Sequence, residues 1–368
     1  MDNLDFQPPC AGLATIAMSN RTQILLAAIL VVGGIAWGAY HFVSGPEWQQ
    51  FSAAAVWNSL AQAQPSYLLL GTLLTFASYL CRSYRWRVFL RPIKEAGVGN
   101  IFVSTLVGFS AVALVSRAGE VVRPWMIAQK EQVSLSSQLG AWTLERVFDT
   151  LTLVGLLGMS LWLYPAIPSA GEHAAAMMAH FRTAGVVLTV VAMGMATTMV
   201  LLDYAPQFTE RFILIIARPL PERIRNGIRM VLEHFAATLA VIRNAGQFLG
   251  CVFWSLMVWL TLLGAYWSAA RAFGAPLEGI HWSAMTLVMM ASVTGSVAQL
   301  PAVGGGAQLA TTLTLTELFG VPLAPATGVA LTIWVITFLL VLIPGVPLAA
   351  REGLSWTRLR TLLRTRKS

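Results

Sequence analysis

Charge is scarce in this sequence. Only 11% of its 368 residues are Asp, Glu, Lys or Arg, where a soluble domain carries about a quarter. The shortage is also uneven, because no charged residue occurs from Thr183 to Leu202 or from Phe248 to Ala270. Runs of that length exclude an ordinary soluble core. About 20 apolar helical residues cover a hydrocarbon slab of roughly 30 Å, and in lipid such a segment must satisfy its own backbone hydrogen bonds by being helical. Cysteine and histidine are scarce too. Cys10, Cys81 and Cys251 show no metal or redox spacing, and the five histidines are dispersed, so neither residue type suggests a chemistry. The N-terminus offers Asp2, Asp5 and only Arg21 before its first apolar run, a poor cleavable signal, so Gln23–Phe42 is read as a retained span.

What is present is apolar residue: 57% of the chain is hydrophobic. Full spans are expected near Gln23–Phe42, Ser66–Val88, Trp142–Tyr164, Thr183–Leu202, Phe248–Ala270 and Leu323–Leu348. Two further apolar stretches, Ile101–Ala128 and Ser283–Leu318, lie between them, and Trp48–Ala63 reads as a surface amphipathic helix. The net charge of +8 is gathered rather than spread. One cluster holds Arg82, Arg85, Arg87, Arg91 and Lys94, and a second lies in the connector 203–246. A third is the tail 351–368. The connectors on the other side carry almost no Lys or Arg, so the positive-inside rule places the clusters, the tail 1–22 and both termini in the cytoplasm. Such clustering suits orientation and contact with anionic lipid better than nucleic acid, which is not expected as a partner. Pro219 and Pro221 divide the 203–246 connector into two amphipathic pieces lying along the membrane surface.

This orientation requires each leftover stretch to return to the face it left. The returning limbs are short, Val121–Ala128 in one case and about fifteen residues after Gly304 in the other, so re-entrant hairpins are favoured over pairs of full spans. A weak internal repeat matches them: Val133, Leu135 and Gly140 correspond to Val321, Leu323 and Gly328 at a constant offset of 188. The fold class read from these features is an all-α polytopic membrane protein. It has about six full spans and two re-entrant helical hairpins in an inverted repeat. The transmembrane domain is 23–350, and its repeat halves are about 66–164 and 248–348.

Ionisable groups at membrane depth carry the functional candidates. Arg82 lies roughly 24 Å along a helix starting near Ser66, and Arg85 shares its face. Snorkelling is the plainer reading for Arg87 and Arg91, and for the first two it competes evenly with a site. In Ser116-Arg117-Ala118-Gly119-Glu120-Val121-Val122-Arg123-Pro124, two arginines and a glutamate surround a glycine directly after an uncharged run. Arginine forks suit phosphate, and Gly119 would let backbone approach a ligand. The competing reading is an Arg–Glu pair that closes a loop. Glu145, Arg146 and Asp149 begin a span, with the two acids on one face at spacing four. They suit the helix dipole, or pair with Arg117 or Arg123, or carry protons. Finally, Gln299-Leu300-Pro301-Ala302-Val303-Gly304-Gly305-Gly306-Ala307-Gln308 must be a break in a helix, because consecutive glycines destabilise helices. No Gly-Lys-Ser/Thr follows, so it is not a P-loop.

Together these motifs resemble the membrane domain of the lysylphosphatidylglycerol synthase family, also described as flippase-like. The resemblance runs from about Ser66 to Leu348 and is carried by four features in order. These are Arg85-Trp86, the segment Arg117–Pro124, Glu145-Arg146 with Asp149, and Pro301 with the glycine run. It implies translocation of phospholipids or other lipid-linked anionic molecules between leaflets, and re-entrant segments around a central cavity. Two positions depart from the family pattern. Ser116 stands where a proline is common and Gln308 where a glutamate is common, which weakens any charge-coupled role for the second hairpin. No aminoacyl-transferase domain is recognisable before Ser368, so lipid synthesis is not expected.

The expected function is therefore lipid flipping in a bacterial cytoplasmic membrane. Arg117 and Arg123, with Arg82 and Arg85, would bind a phosphate-bearing headgroup. Glu120, Glu145 and Asp149 would neutralise these arginines when empty, with Arg146 beside them. Pro301, Gly304, Gly305, Gly306 and Gln308 would form the opposing half of the gate. No cofactor or metal is called for, and the expected partners are anionic or polyprenyl-phosphate-linked lipids. A homo-oligomer or a lipid-modifying enzyme partner stays open. The competing readings are a membrane transferase acting on a polyprenyl phosphate or phospholipid headgroup, and a non-transporting partner of such an enzyme.

Overall fold

The computed structural model describes residues 52–163, 172–218, 220–222, 224–227, 229, 241, 243–275, 277–300 and 304–353. The expected span Gln23–Phe42, the tail 1–22, residues 354–368 of the C-terminal tail and Pro301 lie outside the described residues. The described residues from Ala53 onward form one compact unit.

The described chain is helical apart from one two-residue strand pair. Helix α1 (Ala53–Ala61) precedes α2 (Pro65–Leu90), α3 (Val98–Val115), α4 (Val122–Glu131), α5 (Leu135–Leu163), α6 (Glu172–Tyr204) and α7 (Pro206–Ile216). After the connector come α8 (Ala245–Arg271), α9 (Trp282–Gly295), α10 (Gly306–Leu313), α11 (Leu323–Trp334) and α12 (Leu342–Arg351). The boundaries have local causes. Pro65 and Pro206 open α2 and α7, where a missing N–H does no harm. Asn244 caps α8, its side-chain oxygen accepting the Gln247 N–H at 3.1 Å.

Five segments are long and apolar enough to cross a membrane: Val98–Val115, Leu135–Leu163, Ala175–Leu202, Ala245–Arg271 and Leu323–Arg351. The list differs from the sequence reading at two points. Helix α2 is 26 residues long but too polar to qualify, because the expected span Ser66–Val88 is interrupted by Arg82, Arg85 and Arg87. Helix α3, read as one limb of a hairpin, is by itself 18 residues of sufficient hydropathy. Helix α6 bears many exposed apolar side chains, among them Val186 and Val190, as a surface in contact with lipid rather than water would.

Each leftover stretch folds back on itself. Helix α3 ends in a 3₁₀ turn, Ser116–Val121, and α4 returns along it. Glycine makes this possible, since a Cβ on Gly108 would stand 2.5 Å from Arg123 Cβ and one on Gly119 would strike the backbone of Ala111. In the second stretch α9 leads through Ser296–Ala298 to the pair β1 (Gln299–Leu300) and β2 (Gly304–Gly305). The pair is antiparallel, with Gln299 opposite Gly305 and Leu300 opposite Gly304. Gly305 has φ +124°, a conformation that favours glycine, and its N–H donates to Gln308 Oε1 at 2.7 Å. Helix α10 then returns along α9, continuing through a π turn at Thr314–Leu318. The glycine break expected from the sequence is thus a hairpin turn.

Helices α2 and α8 form the most extensive helix pair and stand at the centre. Against them pack α3, α5, α9 and α11, while α12 closes on α3. One apolar cluster joins α8, α9 and α11 through Trp259, Tyr266, Met285, Val288, Val329 and Ile333. A second joins α2, α3, α4 and α5 through Trp86, Phe89, Ile101, Ile127, Leu144 and Phe148. Buried arginines touch both clusters, Arg82 against Trp259 of the first and Arg123 against Trp86 of the second.

Candidate functional site

Helix α2 turns Arg82 and Arg85 to the same side, and both are buried, Arg85 at 0% exposure. Helix α5 answers with Glu145 and Asp149, one turn apart and likewise buried. Arg85 bridges the two acids: its Nη2 donates to Glu145 Oε1 at 2.6 Å and its Nη1 to Asp149 Oδ1 at 2.7 Å. The same Nη1 reaches Ser255 Oγ on α8 at 3.0 Å. Arg123, carried in by α4, pairs through both terminal nitrogens with the Glu145 carboxylate. Its guanidinium also lies 4.3 Å from the centre of the Trp86 ring.

Two more arginines complete the cluster with looser geometry. Arg82 Nη1 stands 3.7 Å from both Glu145 Oε1 and Asp149 Oδ2, between the rings of Phe109 and Trp259. Arg146 Nη2 lies 3.2 Å from Glu145 and 3.4 Å from Asp149, on a side chain 44% exposed. The second Asp149 donor is the indole N–H of Trp259 at 3.0 Å. Four guanidinium groups therefore meet two carboxylates, so positive charge is in excess in a buried place. Buried charge is tolerated when it is paired and hydrogen-bonded, and an unbalanced cation invites an anion.

Two cavities flank the cluster. The larger, about 230 Å³, lies between α2, α3, α8, α9, α10 and α11. Arg82, Ser116, Glu120 and Gln308 line it, with hydroxyl groups from Thr75, Ser78, Tyr79 and Tyr266. The smaller, about 100 Å³, is lined by Gly108, Phe109, Val112, Glu120, Arg123, Trp142 and Arg146. Phe109, Val112 and Glu120 border both cavities.

The structure thus brings together Arg82, Arg85, Arg123, Glu145, Arg146 and Asp149, and sets Glu120 and Gln308 on the adjoining walls. Five of the expected site residues, Glu120, Gly119 and the three glycines 304–306, behave differently. Glu120 makes no ion pair with a described residue; the neutralising acids are Glu145 and Asp149 alone, while Glu120 faces space. Gly119 is buried, and the room a side chain would need is filled by Ala111 and Val112 rather than left for a ligand. Gly304, Gly305 and Gly306 shape the second turn, and it is Gln308, one helical turn on, that reaches the cavity wall. Of Arg117 only the backbone is described, within the 3₁₀ turn. Ser255, Trp259 and Phe109 were not anticipated. Ser255 and Trp259 do stand four apart on one face of α8, but in an apolar helix that spacing carries no charge signal.

The sequence matches the family described as the lysylphosphatidylglycerol synthase TM region over residues 24–345, and the chain belongs to that family. Among its curated relatives is a UPF0104 membrane protein of Methanothermobacter thermautotrophicus, 22% identical over 295 residues, which are 75% of this chain and 80% of that protein. A shorter similarity, 30% identity over 107 residues, links it to the glycosyltransferase AglD of Haloferax volcanii and covers 28% of this chain and 17% of that protein.

Proposed function

We propose that this protein moves an anionic phospholipid or a lipid-linked phosphate between the leaflets of a bacterial cytoplasmic membrane. The single observation that carries the reading is the excess of guanidinium groups over carboxylates in a buried cluster bordered by two cavities. Arginine presents planar, paired donors that match phosphate oxygens. Arg82 opens onto the larger cavity and Arg123 and Arg146 onto the smaller, so they would take the phosphate, while both terminal nitrogens of Arg85 are engaged by Glu145 and Asp149. A cavity of about 230 Å³ suits a headgroup, not a whole lipid. Its hydroxyl-bearing wall supplies neutral oxygen contacts for whatever the phosphate carries. Glu120, on the walls of both cavities, would act as the charged divider between them.

The order of elements supports a transport geometry. A long helix, a helical hairpin and a second long helix occur twice. Pro65 corresponds to Ala245, Val98 to Trp282, Val122 to Gly306 and Leu135 to Leu323. In this reading the two hairpins are re-entrant from opposite faces, the repeats are inverted and Gln23–Phe42 adds a sixth full span. The termini are cytoplasmic, and one repeat rocks against the other. The partners are membrane lipids, and the protein is not itself an enzyme.

The test compares wild type with Arg123→Ala and Glu120→Gln in native-lipid nanodiscs and proteoliposomes, measuring co-purified lipids by mass spectrometry and leaflet exchange by a fluorescent lipid assay. Selective enrichment of one anionic or polyprenyl lipid, and its loss in Arg123→Ala, is the expected result. Bulk-like lipid and unaltered exchange in both variants would remove the proposed site. The similarity to a glycosyltransferase favours a second reading, a headgroup transferase, and metal-dependent turnover of a lipid-linked sugar by the purified protein would replace transport with it.

A further inference from the structure

The connector between α6 and α8 holds a second gathering of arginine, built differently from the buried one. Helix α7 exposes Phe208, Phe212, Ile215 and Ile216. At about 100° per residue, these four fall within roughly 100° of arc on one face. Arg211 lies about 40° beyond one edge of that face, and Arg218 follows just past the helix end. A surface depression of about 500 Å³ opens here, walled by Arg211, Arg218, Arg225 and Arg229 with Asn226.

Two of the four arginines already have partners. Arg225 Nη2 lies 3.2 Å from Glu222 Oε1, and Arg229 Nε lies 3.6 Å from Glu210 Oε1. Arg211 and Arg218 form no ion pair with a described residue. An apolar helix face bordered by guanidinium groups is how an interfacial helix sits in a leaflet: rings and aliphatic side chains enter the acyl boundary, and cations stay at the phosphates. The depression places all four cations around one small volume, and its own walls include Leu214 and Ile215. A free soluble anion would have no use for that apolar border, whereas a phospholipid would use both parts.

We propose that this pocket binds the phosphate of an anionic phospholipid in the leaflet against which α7 lies, at a site separate from the buried cluster. The bound lipid pins the connector between the two halves to the membrane surface. Arg211 and Arg218 are the principal ligands, and Arg225 and Arg229 close the pocket.

The test uses the full chain in mild detergent, titrated with phosphatidylglycerol or phosphatidylcholine and followed by native mass spectrometry. Wild type should retain phosphatidylglycerol in preference to phosphatidylcholine. The R211Q/R218Q variant should retain about one phosphatidylglycerol fewer per protein, or hold it about tenfold more weakly, and R211K/R218K should recover part of the loss because charge is kept. Arg123→Ala should leave this lipid in place. Equal retention by wild type and R211Q/R218Q would overturn the site, as would displacement of the lipid by millimolar inorganic phosphate, which would make the ligand a soluble anion. Loss in Arg123→Ala but not in R211Q/R218Q would assign all bound lipid to the buried cluster and overturn it equally.

Discussion

Arg85 and Asp149, 64 positions apart in sequence, meet with Nη1 and Oδ1 2.7 Å apart, and neither side chain is reached appreciably by solvent. The contact joins α2 to α5. Through Ser255 and Trp259, which bond the same two side chains, it extends to α8. A single ion pair thus ties the central helix pair to the helix that begins the next span. Its neighbours Arg82, Arg123 and Arg146 lean on the same two acids, so the acids hold the cluster and the arginines differ in what else they do.

Glu145 is the acid on which most depends. It accepts from Arg85 and Arg123 and lies within 3.7 Å of Arg82 and 3.2 Å of Arg146. Glu145→Gln leaves the buried Arg82, Arg85 and Arg123 and the partly exposed Arg146 with Asp149 as the remaining acid of the cluster. Removing one partner of a buried pair is destabilising by about 3–5 kcal/mol, so the variant should unfold at a clearly lower temperature in detergent. Stability equal to wild type in a thermal melt would mean that the arginines are compensated from elsewhere.

Arg82 should separate binding from folding. Its contacts to Glu145 and Asp149 are both 3.7 Å, too long for strong hydrogen bonds, and it lines the larger cavity. Arg82→Gln should lower retention of an anionic lipid about tenfold or more while destabilising less than Glu145→Gln, because Arg85, Arg123 and Arg146 still pair with the two acids. If the two substitutions weaken lipid retention and stability in the same proportion, Arg82 is a structural member of the cluster only.

Gly108 offers a way to move Arg123 without touching a charge. A methyl there would stand 2.5 Å from Arg123 Cβ and 3.2 Å from its Cα, so α4 must shift away from α3. Gly108→Ala should destabilise by about 1–3 kcal/mol and impair lipid exchange as well. Gly155→Ala, whose Cβ meets nothing within 4 Å, is the control and should behave as wild type. Normal exchange by Gly108→Ala would show that the position of Arg123 is not critical.

Ser116 adopts φ 55° and ψ −143° at the turn between α3 and α4, a region that side chains other than glycine seldom occupy. Such strain amounts to about 1–3 kcal/mol. Ser116→Gly should therefore raise the melting temperature slightly. Ser116→Pro, which forces φ near about −65°, should destabilise the protein and reduce exchange. A proline variant as stable as wild type would contradict this backbone conformation.

Much of the site could be read from the sequence because charge is so scarce there. When nearly every residue of a span is apolar, each Arg, Glu or Asp within it stands out, and Arg82, Arg85, Arg123, Glu145 and Asp149 were found that way. The break at Gly304–Gly306 was legible for a similar reason, since three consecutive glycines do not propagate a helix. Uncharged participants left no such mark. Ser255 and Trp259 look like ordinary residues of an apolar helix, and only the packing of α8 on α2 makes them ligands of the ion pair.

The sequence by itself determined the class of protein and its cast of charged residues, because hydropathy, run length and helix period are local properties that need no partner. It also set where the helices break, through glycine and proline. The tertiary structure alone decided which charges pair. Arg85 joins Arg123 on Glu145; Glu120 is left facing a cavity; and Gly119 serves close packing on Ala111 rather than access for a ligand. Ion pairing depends on distances of a few ångströms between side chains on different helices, and those distances are set by how whole helices pack.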